Sequence, residues 1–256
     1  MVKAGNRKAE VTAAPPPSAM AMAAVTDELV DNLRGWQATL PVTHVYNPLI
    51  YARAGYDEYL TRFGDGTKPV VLVGMNPGPF GMVQTGVPFG DVAMVTSWMG
   101  IRAVIRPPAD IHPKRPIMGF DSPRQEVSGR RLWGWAKARF GRAENFFSRF
   151  FVLNYCPLVF MEASGRNRTP DRLAVDEKKR LFEVCDQALR QSVAIYQPGW
   201  VVGIGGFAES RAAAALCGMP LKVGRISHPS PANPQANRGW AALIETELAA
   251  LGIAIP

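Results

Sequence analysis

Residues 69–90 read PVVLVGMNPGPFGMVQTGVPFG. The first six, Pro69–Gly74, form a short apolar, β-branched run, the pattern of a strand buried on both faces. The seventeen residues Gly74–Gly90, which begin on the last of these, contain five glycines and three prolines. That composition makes a rigid, shaped loop rather than a flexible one. Connections of this length inside a compact domain are usually functional. Asn76 stands two residues beyond the strand end.

The same alternation runs outward from this stretch. Phe150–Leu153, Trp200–Ile204 and Leu221–Ser227 read as further strands. Asp27–Gln37, Gly90–Met99, Ser128–Phe140, Asp176–Tyr196, Phe207–Cys217 and Asn237–Leu251 read as helices. In Asp176–Tyr196, Leu181, Val184, Cys185 and Ala188 keep the three–four spacing of an amphipathic helix. Strands separated by helices predict an α/β fold with a parallel sheet covered on both faces. Ligands of such sheets sit beyond the carboxyl ends of the strands. Asn76, Asn154 and His228 each follow a strand end, so the pattern predicts that they meet at one edge of the sheet.

The chain has 256 residues and a formal net charge of +8. A 47 % hydrophobic content suits a globular core of this size. No run approaches the roughly 20 apolar residues of a membrane span. Residues 1–24 are polar, then rich in Ala, Pro and Met, and read as a disordered tail. Ala19–Val25 is apolar but too short for a membrane span and follows Pro15–Pro17, and it does not read as a secretory signal. Residues 101–150 carry eleven Lys/Arg against four Asp/Glu, which suits a polyanion surface as well as a solvated face. Trp133, Trp135, Phe146 and Phe147 interleave with these charges at a spacing that more often marks core. Cys156, Cys185 and Cys217 are far apart and form no C-x-x-C, which argues against zinc ribbons, disulfide scaffolds and four-cysteine iron–sulfur clusters. A reducing, intracellular compartment fits.

Two motifs have plain alternatives. Residues 227–240 read SHPSPANPQANRGW. Ser230 has no neighbouring acid and no G-x-S-x-G elbow, so a serine hydrolase is disfavoured. Gly203–Ala208 matches G-x-G-x-x-A, but no Asp or Glu lies between Glu209 and Glu245. The ribose-binding acid of a dinucleotide site is therefore missing, and close strand–helix packing is the expected role.

GMNPGPFGM at 74–82, NYCPL at 154–158 and HPSPANPQANRGW at 228–240 closely resemble the single-strand-selective monofunctional uracil-DNA glycosylases. Tyr46–Pro48, HPKRP at 112–116, SGRN at 164–167 and VVGIG at 201–205 extend the likeness over roughly residues 40–250. The resemblance implies the three-layer α/β/α sandwich of the uracil-glycosylase superfamily, with a four-stranded parallel central sheet, as a single domain over residues 25–256. It implies base-excision repair of uracil and oxidised 5-substituted uracils, such as 5-hydroxymethyluracil, in single- and double-stranded DNA. It implies a monomer without metal or organic cofactor, in the bacterial cytoplasm or the nucleus. Carried over residue by residue, Asn76 would position the hydrolytic water, and His228 would stabilise the departing uracil anion. Asn154 would read the uracil edge, and Phe89 would stack on the flipped base. Met75 would line the same pocket, and Gly78 and Met82 the space beside C5. Pro231, Ala232, Asn233, Gln235, Asn237 and Arg238 belong to the loop that would enter the duplex. In the family an Arg commonly follows HPSP. Here it is Ala232, which leaves Arg238 and Arg225 as the cations that could take its part.

The residue types suit that chemistry. An Asn amide can donate to uracil O4 and accept from N3–H, a pairing that cytosine mismatches. His228 can hold a developing anion by preorganised hydrogen bonding. An amide cannot take a proton, so Asn76 can only position water. The loops hold no carboxylate, which predicts a dissociative path with little general-base help. They hold no lysine, so no Schiff-base strand cleavage is expected. Gly78 either leaves room for a 5-substituent or serves a positive-φ turn. A catalytically silent nucleic-acid-binding module on the same fold is the alternative reading.

Overall fold

The computed structural model describes residues 14–256. Its strands are β1 (Val42–Tyr46), β2 (Val70–Gly74), β3 (Phe150–Asn154), β4 (Val159–Glu162), β5 (Asn167–Arg168), β6 (Trp200–Ile204) and β7 (Lys222–Ile226). Its helices are α1 (Pro17–Asn32), α2 (Pro48–Tyr51), α3 (Arg53–Phe63), α4 (Met82–Thr85), α5 (Val92–Ser97), α6 (Val127–Phe140), α7 (Ala143–Phe147), α8 (Val175–Tyr196), α9 (Gly206–Ala215), α10 (Pro234–Asn237) and α11 (Trp240–Ala250).

Four strands form the central sheet in the order β3-β2-β6-β7, and every neighbouring pair is parallel. All five residues of β2 are buried. Successive strand side chains point to opposite faces, so both faces must be covered. This is the expected three-layer α/β/α arrangement. β2 has β3 on one side and β6 on the other, although β3 follows it in the chain. The loop leaving β2 therefore starts at the topological switch point, where α/β sheets open a crevice. The register places Gly74 level with Asn154, and Ile204 level with Ile226.

A second, antiparallel sheet, β1-β4-β5, was not anticipated. Its strands are short, one of them only two residues long, and β1 pairs with β4 across more than a hundred positions. Local patterning carries little trace of such pairing.

Two expected boundaries shift. The tail does not extend to residue 24, because α1 starts at Pro17. Ala19 and Met22 are each 2 % exposed and join the main core. The Ala/Met-rich stretch is thus a helix with a buried stripe, and Pro suits its first turn. Residues 1–13, the rest of the expected tail, lie outside the described residues. The last expected helix, from Asn237, is split at Gly239, whose φ of +134° interrupts the turn between α10 and α11.

Trp133, Trp135, Phe146 and Phe147 are buried core side chains. Gly203 packs against α9: a Cβ there would run into the backbone nitrogen of Glu209. The glycine run after β6 is strand–helix packing, as its missing ribose acid indicated.

Candidate active site

A cavity of about 570 Å³ opens at the carboxyl edge of the central sheet. Asn76 and His228 line it, as do Met75, Gly78, Met82, Phe89 and Asn154. Three separate strand ends thus deliver their polar residues to one space. From the HPSP loop, Pro231 reaches the lining. Ala232, Gln235, Asn237 and Arg238 stay exposed beyond it, and Asn233 is half-buried.

Each polar side chain is held from behind. The Asn76 amide nitrogen donates to the Leu158 carbonyl at 3.1 Å. Its carbonyl oxygen is the group left for a ligand. The Asn154 amide donates to the Met82 sulfur at 3.3 Å. His228 Nδ1 accepts the Ser230 backbone N–H at 3.0 Å. A backbone N–H can only donate, so Nδ1 is unprotonated and the ring proton sits on Nε2. Burial also pushes the His228 pKa below the ordinary histidine value. His228 is therefore a neutral donor.

Phe89 adopts φ of +53°, a left-handed backbone rarely occupied by a bulky residue. Its carbonyl accepts the Trp133 indole N–H at 2.9 Å and the Asp91 N–H at 2.8 Å. Its ring lies 6.2 Å from the imidazole of His228. Gly129 makes this geometry possible, because a Cβ there would collide with the Phe89 carbonyl. Gly74 acts similarly: a Cβ would stand 2.6 Å from both Asn154 Oδ1 and the Phe89 ring.

The 227–240 segment is pinned at several points. Trp240 donates its indole N–H to the Ser227 carbonyl at 2.7 Å, and Glu247 accepts from both N–H and hydroxyl of Ser227. Asn233 donates to the His228 carbonyl and Asn237 to that of Pro231. Arg131, from α6, donates to the Pro229 carbonyl and to Asn237. The motif's amides therefore shape the loop. Arg225 is paired with Glu209 at 3.4 Å on β7. Arg238 forms no ion pair among the described residues and remains the available cation beside Ala232.

Sequence reading missed part of the lining. Gln125, Glu126 and Ser128 come from the start of α6, Asn167 from the second sheet, and Thr169 from just beyond it. Only the SGRN string hinted at Asn167. Glu126 places a carboxyl group in a site whose two loops contain none. Burial raises its pKa, with Asp91 adding like charge, while hydrogen bonds from Ser128 oppose the shift. Phe80, also in the lining, has the guanidinium groups of Arg115 and Arg124 5.5 and 5.8 Å from its ring centre. Part of the basic 101–150 segment thus gathers at the mouth. Gly78 is not among the positive-φ glycines, so the turn explanation for it falls away and the space around it matters.

The Uracil DNA glycosylase superfamily profile matches residues 61–246. The single-strand selective monofunctional uracil DNA glycosylase of Bos taurus is 45 % identical over 243 residues, covering 93 % of this chain and 89 % of that protein. The Rattus norvegicus protein of the same name is 45 % identical over 215 residues, covering 83 % and 77 %. A crystal structure of wild-type Pedobacter heparinus SMUG2 superposes with a TM-score of 0.63 at 18 % identity, covering 89 % of this chain and 97 % of that one. It shares the fold. With the parallel sheet, the switch-point cavity and this match over most of its length, the chain belongs to the uracil DNA glycosylase superfamily.

Proposed function

We propose that this chain is a monofunctional uracil-DNA glycosylase that flips uracil or a 5-substituted uracil, such as 5-hydroxymethyluracil, out of single- or double-stranded DNA. It hydrolyses the N-glycosidic bond and leaves an abasic site, acting as a monomer. Its substrate places it inside the cell, in bacterial cytoplasm or nucleus. The observation that carries the reading is the convergence of Asn76, Asn154, Phe89 and a neutral His228 on one cavity.

Extruding a base costs a few kcal/mol. Stacking on Phe89 returns about 1–3 kcal/mol. Asn154 pairs with O4 and N3–H of uracil. As the glycosidic bond lengthens, charge moves onto the base, and His228 Nε2–H donates to O2. The sugar becomes oxocarbenium-like. Asn76 accepts a hydrogen bond from the water that captures it. No lysine lines the cavity among the described residues, so no amine attacks the sugar. The exposed loop Pro231–Gly239 enters the duplex beside the extruded nucleotide, with Arg238 as its free cation.

The deciding experiment is release of free uracil from labelled single-stranded and duplex oligonucleotides. DNA binding without base release would establish the silent binding module instead.

Two further outcomes are expected. The excision rate is level from about pH 7 to 8.5, because a histidine with a lowered pKa is already neutral there. It falls as pH drops below the ordinary histidine value, since protonating Nδ1 sets two donors, its N–H and that of Ser230, against each other. A single-turnover pH profile measures this, and a rate that rises on acidification would contradict it. Second, Gly74→Ala displaces both Asn154 and Phe89. Misplacement on the ångström scale costs about 10²-fold, so excision should fall by that order. Overpacking a strand buried on both faces should cost about 1–3 kcal/mol and lower the melting temperature by a few degrees.

A further inference from the structure

Glu126 has one carboxylate oxygen engaged and one free. Oε1 accepts the Ser128 N–H at 3.2 Å. Asp91 holds the Glu126 backbone by accepting its N–H at 3.1 Å. The Ser128 hydroxyl also interacts with this carboxyl group; no other residue among those described donates to it. That oxygen would lie 2.8 Å from a Cβ on Gly78, and Glu126 Cγ would lie 3.0 Å from a Cβ on Gly81. The two glycines strip the β2 loop of side chains where the carboxyl group meets it, and Glu126 itself lines the cavity.

Oε2 is not among the buried, unpartnered polar atoms of the described residues, so water reaches it in the free protein. A ligand donor gains binding by replacing that water with a fixed, charge-assisted hydrogen bond. The extruded nucleotide offers few donors. Its phosphates and deoxyribose oxygens within a strand only accept. The one donor of a glycosylated uracil ring is N3–H, which the proposed reading assigns to Asn154. Gly78 faces C5 on that same reading, and there an unsubstituted uracil presents only a C–H. A hydroxyl carried by a C5 substituent supplies the missing donor.

We propose that Glu126 is a specificity-determining residue for the base: its free carboxylate oxygen accepts a hydrogen bond from a hydroxyl on the C5 substituent and repels a substituent bearing negative charge. This rests on the glycosylase reading. The side chain is fixed beforehand by Ser128 and Asp91, so accepting that hydroxyl requires little reordering.

Glu126→Gln tests it, because glutamine keeps an acceptor for the Ser128 N–H and so keeps the start of α6. Single-turnover excision of uracil, 5-hydroxymethyluracil and 5-carboxyuracil is measured in one single-stranded sequence for both proteins. The 5-hydroxymethyluracil to uracil rate ratio should fall about fivefold to tenfold, the difference between a charge-assisted and a neutral hydrogen bond. The 5-carboxyuracil to uracil ratio should rise, since an amide can donate to that carboxylate. The assignment stands only if the two ratios move in opposite directions. A purely structural role lowers all three rates together and leaves both ratios unchanged, which overturns it. Uracil release by the unaltered chain tests the glycosylase reading separately: with that release intact and the ratios unchanged, only the role of Glu126 fails.

Discussion

His228→Ala is expected to lower the single-turnover rate of uracil release by about 10²–10³, the scale for losing one preorganised donor to a developing anion. The donor is Nε2–H, because Nδ1 is committed to the Ser230 N–H. Burial keeps the ring neutral, so it meets the leaving group as a fixed dipole and loses no proton. Alanine removes this donor and the Nδ1 acceptor of the Ser230 N–H, but the other ties that order the loop remain. The His228 carbonyl still accepts from Asn233, and Trp240 still ties down Ser227. DNA affinity should therefore change by less than about threefold, because phosphate contacts dominate it. Near-normal single-turnover release by the variant would remove His228 from the chemistry. An equal loss in rate and in binding would make it a loop anchor instead.

Asn154→Asp should lower uracil excision by about 10², and should also weaken the rejection of cytosine. The amide stands at the end of β3, level with Gly74. One of its two N–H groups goes to the Met82 sulfur, which leaves the other, with Oδ1, to face the base. An ionised carboxylate would oppose uracil O4 and would lose the Met82 contact. A protonated carboxyl could donate to cytosine N3. Sites that hydrogen-bond a substrate discriminate strongly because a mismatch leaves buried groups unpaired. Uracil and cytosine release from matched oligonucleotides measures both effects. If uracil excision is unaffected, Asn154 does not read the base.

The legible part of the site came from strand ends. A parallel α/β sheet has one polarity, so residues that follow β2, β3 and β7 must share an edge. Asn76, Asn154 and His228 could be grouped from spacing alone, and all three line the cavity. Glu126 could not be grouped with them. It precedes α6 and looks like an ordinary charge in a basic segment. Only the packing of α6 against the Gly78–Gly90 loop, through Asp91 and the Phe89 carbonyl, brings it there. Asn167 arrives on a two-residue strand, too short to carry a period, and Thr169 directly follows it.

The N-terminal boundary shows the same division. Composition made residues 17–24 look like part of a tail, yet a helix is stabilised mainly by the face it buries. Ala19 and Met22 find that face on the folded domain. By itself the sequence determined the parallel sheet, the edge where ligands gather, and three of the polar residues there, because each follows from local periodicity and chain polarity. Only the tertiary structure decided the ring proton of His228, the strained Phe89, the reason for Gly74 and Gly129, and the presence of Glu126. Those depend on which atoms meet across long separations in sequence, and local pattern does not encode such meetings.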